Sequence, residues 1–318
     1  MKKILSLTLA VLMIVTAFAF VSCGEKAAKL GLGVATTVTA KDATEEKNGS
    51  VKTAVTVAAV LLSADGKILA VDIDTLEASL GMTAAGEAVA GKSFASKRDQ
   101  GDNYNMVAYG GAKLEWHAQV DALETVLVGK TASEVGAIAT GNDAIVTAGC
   151  TIDVTDMIKA VVAACANAKE AGSFEGDSLA VAITCANSSS TKDATEEKDG
   201  VLQAEFNFAA VSLKDGKTTA VVTDAMNAKA TFNTAGEAVD TSAPKTKGEL
   251  KEQYGMSTYA NTTEYYLQSA AFDKECAGKT SAEISGMKDG TDALVAAGCT
   301  IAVSPLVAAV TKAIAAAK

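Results

Sequence analysis

The five residues Ala-Gly-Cys-Thr-Ile occur twice in the sequence, at 148–152 and again at 297–301. Each copy brings a flexible glycine and a hydroxyl to a point four residues ahead of a predicted helix start, at Thr155 and at Ser304. Free N–H groups and the helix dipole at such a start favour a phosphate or another anion. The alternative is a bend that leads into a capped helix and buries its cysteine. The residues of the two predicted anion sites are Gly149, Cys150 and Thr151, and Gly298, Cys299 and Thr300.

These two motifs belong to an internal duplication that spans most of the chain. Residues 41–49 return at 192–200 with eight of nine identical, and residues 141–154 match 290–303 at ten of fourteen positions. A period of about 150 residues is the size of a whole domain and exceeds that of a solenoid repeat. The sequence therefore predicts the following parts: a signal peptide (1–22), a tether (23–29), repeat domain 1 (30–169), a linker (170–177) and repeat domain 2 (178–318).

Each repeat begins with strand patterns and ends with helix patterns. Alternating apolar residues predict a strand over Val51–Ser63, the Asp-Gly pair at 65–66 predicts a hairpin turn, and 68–73 is the returning strand. No periodicity is predicted for 75–103. This order favours an α+β fold of two tandem repeats, each an antiparallel sheet with helices packed on it. The clearest helix is predicted from four apolar residues on one face, Trp116, Val120, Leu123 and Leu127.

The N-terminal residues predict export. Two lysines precede the uncharged run Ile4–Phe20, and small residues lead to Cys23, as in a secretory signal. A cysteine at this place resembles the lipobox of bacterial lipoproteins, which implies cleavage before Cys23 and a diacylglycerol on its sulfur. The alternatives are an ordinary signal peptide cut after Ser22 and an uncleaved anchor helix. The expected location is the cell membrane, with a lipid anchor and the protein on the extracellular face.

The charge and the content of histidine and cysteine exclude several classes of function. The 318 residues carry a formal net charge of −10 and a single histidine, His117. Because affinity for nucleic acid depends on Lys and Arg neutralising phosphates, no nucleic-acid partner is expected. One histidine also excludes His-rich zinc sites, and no metal site is predicted. Apart from Cys23, five cysteines remain without Cys-x-x-Cys spacing, so free thiols are expected.

The order of the elements and the bend motif resemble the FMN-binding domain of exported flavoproteins. In that family, a Ser/Thr-Gly-Ala-Thr motif precedes the final helix, and a dedicated transferase esterifies its last threonine to the phosphate of FMN. Gly149 and Thr151, like Gly298 and Thr300, hold the glycine and threonine places. Here alanine replaces the first Ser/Thr, and cysteine replaces the family's alanine. The resemblance implies FMN as cofactor, attached through Thr151 and Thr300 or held noncovalently; a flavin-free descendant is the alternative.

The resemblance implies a surface lipoprotein with two FMN-binding domains that carries electrons between a membrane redox carrier and an extracellular acceptor. Such a protein would be a redox carrier and would convert no substrate of its own. The first alternative is a cofactor-free surface binding or adhesion module, in which duplication raises avidity. The second alternative is the solute-binding lipoprotein of a transporter.

Overall fold

A computed structural model describes residues 25–92, 94–260 and 262–317. The predicted signal peptide and Cys23 lie outside the described residues. Repeat 1 contains β1 (Ala27–Lys41), β2 (Gly49–Leu62), β3 (Ile68–Met82), β4 (Ala88–Val89), α1 (Lys97–Gln100), α2 (Met106–Gly110), α3 (Trp116–Leu127), α4 (Ala132–Gly136), α5 (Asp143–Ala148) and α6 (Thr155–Asn167). After β5 (Lys169–Phe174), repeat 2 contains β6 (Ser178–Asn187), β7 (Gly200–Lys214), β8 (Lys217–Phe232), β9 (Ala238–Asp240), α7 (Lys247–Leu250), α8 (Met256–Tyr259), α9 (Tyr265–Cys276), α10 (Ser281–Ser285), α11 (Asp292–Ala296) and α12 (Ser304–Ala316).

The strands form two antiparallel sheets, which confirms the predicted α+β class. The first sheet has the order β4-β3-β2-β1-β5 and the second has the order β6-β7-β8-β9. The two predicted Asp-Gly turns join β2 to β3 and β7 to β8. β3 continues well past the predicted end at residue 73, because its second half is also buried. The predicted helix is α3, and its apolar face is buried as expected.

The two sheets pack face to face, so the repeats share one core. Side chains from both sheets form a single buried cluster, to which β3 contributes Leu76, Leu80 and Met82 and β7 contributes Phe206 and Phe208. The opposite face of each sheet is covered by helices, mainly α6 on the first sheet and α12 on the second. The molecule is therefore a four-layer α-β-β-α sandwich. Both faces of each sheet are buried, and the central strands β2 and β7 are therefore apolar along much of their length.

The predicted tether and linker contribute to this sandwich. β1 begins at Ala27, inside the predicted tether 23–29, and β5 occupies most of the predicted linker 170–177. β5 pairs with the start of β1, and the hydroxyls of Ser173 and Ser212 lie 2.7 Å apart in the buried interior. Most of the predicted linker is thus a strand, because this segment pairs with unpaired backbone at the edge of β1.

The repeated segments 41–48 and 192–199 form a reciprocal contact that we call the clasp. The N–H of Ala43 donates to the carbonyl of Gly236 at 2.8 Å, and the N–H of Ala194 donates to the carbonyl of Gly86 at 2.8 Å. Each loop thus binds the β-turn of the opposite repeat, and the two contacts are equivalent. The same interface is used twice, which accounts for the near-identity of the two loops.

No helix among the described residues is long and apolar enough to cross a membrane.

The clasp predicts a specific cost for a methyl group at Gly236. This residue has φ +72°, and a Cβ atom there would lie 2.6 Å from Cβ of Ala43. Gly66 has φ +80° with nothing within 4 Å, so Gly66→Ala is the matched control. The control carries only the backbone cost of about 1–2 kcal/mol. We expect Gly236→Ala to lower the free energy of unfolding by about 1–3 kcal/mol more, because of the added crowding.

Urea denaturation of the two variants measures this difference. Equal losses of stability in Gly236→Ala and Gly66→Ala would contradict the close contact at the clasp.

Candidate functional site

The Gly-Cys-Thr bend ahead of α6 is closed by hydrogen bonds within the fold. The N–H groups of Gly149 and Cys150 both donate to the carbonyl of Ile145, at 3.2 and 2.8 Å. The N–H and the hydroxyl of Thr151 both donate to Oε1 of Gln119 on α3, at 2.9 and 3.0 Å. These three residues therefore have no unused backbone N–H to offer a phosphate.

The bend ahead of α12 is closed in the same way. The N–H of Gly298 closes the end of α11, and the N–H of Cys299 donates to the carbonyl of Leu294 at 2.8 Å. The N–H and the hydroxyl of Thr300 donate to Oε1 of Gln268 at 2.8 and 2.9 Å. The identical motifs thus share an identical structural role, in which a glutamine on the preceding long helix holds the threonine.

A carboxylate already occupies the start of each final helix. Oδ1 of Asp153 accepts the N–H of Thr155 at 2.9 Å, and Oδ1 of Asp289 accepts the N–H of Ser304 at 3.1 Å. α12 begins at Ser304, as the sequence predicts, and Val303 takes the N-cap position. A negative charge at each start opposes a second anion there. The predicted phosphate site has no support in this geometry, and FMN stays a prediction that depends on the resemblance.

The five cysteines among the described residues are free thiols, as the sequence predicts. Cys150 and Cys299 are buried within their bends, and this burial raises the pKa of both thiols. A neutral, buried thiol is a poor nucleophile and a poor metal ligand. Across 25–92, 94–260 and 262–317, no group of three or more His, Cys, Asp or Glu side chains is placed to hold a metal.

An open cleft lies near each bend, and the two clefts are built from equivalent residues. Cleft 1, in repeat 1, has a volume of about 380 Å³, and cleft 2, in repeat 2, has a volume of about 210 Å³. In each, the sheet forms the floor and the helix starts form the walls. Four of the equivalent pairs keep their residue type or remain aromatic: Lys97 and Lys247, Met106 and Met256, Trp116 and Tyr265, and Ile152 and Ile301.

In cleft 1, the lysine lies over aromatic rings and is paired with a carboxylate. Nζ of Lys97 is 5.0 Å from the ring centroid of Tyr104 and 5.7 Å from that of Trp116. It also lies 3.0 Å from Oε1 of Glu77, whose other oxygen is 2.9 Å from Nζ of Lys52. Burial alone would lower the pKa of Lys97, but the Tyr104 hydroxyl and the Glu77 carboxylate outweigh it and raise the pKa. The positive charge of this lysine is therefore permanent and already compensated.

In cleft 2, the equivalent lysine, Lys247, also lies over two aromatic rings, but no carboxylate stands at the position of Glu77. Nζ of Lys247 is 5.1 Å from the ring centroid of Tyr254 and 4.8 Å from that of Tyr265. Such contacts contribute about 0.5–2 kcal/mol each. Asn227 replaces Glu77, and Gln203 replaces Lys52. No ion pair of Lys247 occurs among the residues that the structure describes, and the one carboxylate in the lining of cleft 2 is that of Glu205.

The buried hydroxyl of Tyr265 adds an unpaired donor beside cleft 2. It has no hydrogen-bond partner among the described residues, although Tyr265 is only 5% exposed. Burial raises the pKa of Tyr265 well above its ordinary value, and the charges of Asp224 and Asp273 raise it further. The phenol is therefore neutral and keeps its proton.

Sequence reasoning placed the site on the threonines and missed the lysines. The available signal was a spacing that both repeats keep, since Lys97 precedes Tyr104 by seven residues and Lys247 precedes Tyr254 by seven. These residues lie in segments without a clear hydrophobic period. There, only a comparison of the two repeats with each other would have indicated that the lysines matter. No family model matches the chain, and no curated protein or solved structure matches it.

The closed bend predicts that Gln119 is a structural residue. In Gln119→Leu, the N–H and the hydroxyl of Thr151 lose their acceptor, and we expect a loss of about 1–3 kcal/mol in the free energy of unfolding. Gln253→Leu is the matched control, because Gln253 is exposed on the turn 251–254. Its expected effect is within about 0.5 kcal/mol. Urea denaturation monitored by circular dichroism checks both, and equal midpoints for the two variants would contradict the assigned role.

Proposed function

We propose that the protein is an exported, lipid-anchored binding protein of the cell surface, and that cleft 2 binds a small ligand through an anionic group. The observation that supports this proposal is the lysine-aromatic arrangement kept in both clefts, in which Lys97 forms an ion pair with Glu77 and Lys247 forms none with a described residue. This corresponds to the cofactor-free binding module among the functions expected from the sequence.

The lining of cleft 2 suits an anion better than that of cleft 1. The ammonium of Lys247 is fixed over two rings, and the amides of Asn207 and Asn227 line the same cleft. Amide N–H groups and an ammonium are donors for a carboxylate or phosphate. The one carboxylate in the lining, Glu205, already accepts the hydroxyl of Ser188 at 2.6 Å.

Cleft 1 has a different charge. Lys97 is neutralised by Glu77, and Asp153 and Asp156 also line this cleft. These carboxylates repel an anion at short range. The two clefts therefore share a scaffold and differ in the ligand they favour.

The flavin carrier is the second candidate function. The ammonium of Lys247 is placed where the phosphate of FMN would find a counter-charge, and an isoalloxazine ring would then lie along the cleft. Electron exchange with a membrane redox carrier would follow from that location. An ester to Thr151 or Thr300 would first require the threonine hydroxyl to leave its glutamine.

The proposed lipid anchor would hold the sandwich close to the membrane. Ala27, the first residue of β1, follows Cys23 by four residues. A chain of that length spans at most about 13–14 Å, so the sandwich would stand directly above the lipid headgroups. Two acyl chains give stable anchoring where one chain is marginal.

The binding proposal is tested by comparing FMN with riboflavin, which lacks the phosphate, and with inorganic phosphate alone. We expect saturable binding of FMN that is tighter than binding of riboflavin, and we expect Lys247→Met to weaken FMN binding by about tenfold, the loss of one charged contact. Lys288→Met, on an exposed lysine, is the matched control and should leave binding unchanged. Flavin fluorescence and titration calorimetry give the affinities. Equal affinity for FMN and riboflavin, or no binding of either FMN or phosphate, would contradict the proposal.

Co-expression with a flavin transferase separates the binding proposal from a covalent flavin carrier. The binding proposal expects no mass gain on the protein. A flavin absorbance band, with a mass gain that disappears in the double variant Thr151→Ala and Thr300→Ala, would favour the flavin carrier instead. Fractionation of the same cells tests the anchor, since Cys23→Ser should release the protein from the membrane fraction.

A further inference from the structure

In repeat 1, a half-buried arginine fills the space between α1, β3 and α3. Nε of Arg98 donates to the carbonyl of Ile73 at 2.6 Å, and Nη1 donates to Oδ1 of Asp121 at 2.9 Å. Nη2 lies 2.5 Å from Oε1 of Glu124 and 3.3 Å from Oδ1 of Asp72. The guanidinium is thus held by three carboxylates and one carbonyl.

A second cation reaches the same region of repeat 1 from the last helix of repeat 2. Nζ of Lys312 on α12 lies 2.5 Å from Oδ2 of Asp99, next to Arg98 on α1, and 2.8 Å from the carbonyl of Ile183. The region therefore receives two cationic side chains, one from each repeat.

The duplication places small residues where repeat 2 should have these cations. Lys97 and Lys247 are equivalent, so Gly248 takes the place of Arg98. α6 and α12 begin at Thr155 and Ser304, so Ala163 takes the place of Lys312. Both cations are absent from the repeat-2 copy of the site.

The backbone of the site and part of its acidic groups are retained. Asp74, Asp99 and Glu124 correspond to Asp224, Glu249 and Asp273, whereas Val222 and Ala270 replace Asp72 and Asp121. The N–H of Gly248 donates to Oδ1 of Asp224 at 2.9 Å, as the N–H of Arg98 donates to Oδ1 of Asp74 at 3.1 Å. The carboxylate of Asp273 accepts the N–H of Thr223 at 3.1 Å. This bond repeats the one from the N–H of Ile73 to Glu124. Asp273 therefore occupies the place of Glu124, one of the three carboxylates that hold Arg98. Glu249 likewise replaces Asp99 in the capping box of α7.

The missing side chains leave a cavity of about 410 Å³ between the repeats. Asp273, Asp224 and Glu249 line it on the side of repeat 2, and Ala163 lines it on the side of repeat 1. Asp273 is only 8% exposed, and burial raises its pKa to about 7 despite its bonds to Thr223. A carboxylate in this condition gains most from a cation beside it. Lys169 and Lys251 stand at the rim of the cavity and reduce its net negative charge.

We infer that this cavity is a binding site for a small organic cation that carries a guanidinium or ammonium group, in the place that Arg98 and Lys312 occupy in repeat 1. The cationic head lies against Asp273 and the carbonyl of Thr223. A second cationic group, where the ligand has one, faces Glu249. The side chains of Arg98 and Lys312 in repeat 1 thus show which charged groups the ligand would carry.

Gly248 places no side chain in the cavity, whereas Arg98 fills the equivalent space in repeat 1. A Cβ atom there would lie 2.5 Å from Oδ2 of Asp224. The position therefore favours a residue without a side chain and keeps the cavity open. This site shares no lining residue with cleft 2.

Titration calorimetry of the intact protein with agmatine, which has a guanidinium and an ammonium, tests the inference. We expect one saturable site, with putrescine as the ammonium-only comparison. Asp273→Asn should weaken agmatine binding by about tenfold or more, since it removes a charged acceptor. Ala163→Lys should abolish binding by placing the chain's own ammonium in the cavity, as Lys312 does in repeat 1.

Two matched variants separate this site from general attraction to an acidic surface. Ala166→Lys adds the same charge on the exposed face of α6, and Asp199→Asn removes a surface charge by introducing the residue found at the equivalent position 48. Both should bind agmatine as the unmodified protein does, as should Lys247→Met, in which only cleft 2 is altered.

Binding no tighter than about 1 mM for both ligands would overturn the inference. Binding that survives both Asp273→Asn and Ala163→Lys, or that falls equally in the two matched variants, would also overturn it. If Asp273→Asn fails to fold, Ala163→Lys decides the result, because its added atoms enter space that is open in the structure.

Discussion

The apolar contact between the two sheets is the constraint on which the rest of the structure depends. Each sheet is covered by helices on one face and has an apolar second face that only the other repeat covers. A buried large apolar side chain contributes about 1.5–3 kcal/mol, so side chains such as Phe206, Phe208 and Met82 stabilise the pair of repeats far more than the clasp hydrogen bonds do. The duplication therefore made one cooperative structure in which neither half has a complete core.

This shared core restricts some regions of the sequence and frees others. The clasp loops must fit the turns of the opposite repeat twice, and they remain nearly identical. The outer regions, where helices cover the sheets, do not have to fit the opposite repeat in this way. In these regions the two repeats differ in charge. Glu77 has become Asn227, and Arg98 has become Gly248. The two repeats therefore differ in charge at the clefts and at the cavity, while the sheets kept one shape.

The sequence predicts the elements of this fold better than its assembly. The face of α3 is readable because Trp116, Val120, Leu123 and Leu127 follow the helical period and pack on one sheet. Leu76, Ala78, Leu80 and Met82 also alternate with small or polar residues, as in a strand with one buried face. No periodicity was predicted for this segment, and the second half of β3 was therefore missed. The shared core was not readable, because a strand that faces a helix and a strand that faces another sheet have the same apolar pattern.

The bend shows why a local motif can mislead. Gly149 and Thr151 have the composition of an anion site, and the glutamine that satisfies the threonine lies 32 residues earlier in the chain. Only tertiary structure brings Gln119 to Thr151. The residues of the clefts and of the cavity are likewise distant in the sequence and are brought together only by the tertiary structure. Their roles become clear when the surroundings of Lys97 are compared with those of Lys247, and the surroundings of Arg98 with those of Gly248.

The central claim, that the two repeats form a single unit around one core, is tested most directly by urea unfolding followed with two probes. The only tryptophan, Trp116, lies buried in repeat 1, so its fluorescence reports that repeat, whereas far-ultraviolet circular dichroism reports both. Coincident transitions with one midpoint are the predicted result, as for a two-state protein. A tryptophan transition clearly separated from the loss of secondary structure would show that the repeats unfold independently and would contradict the account.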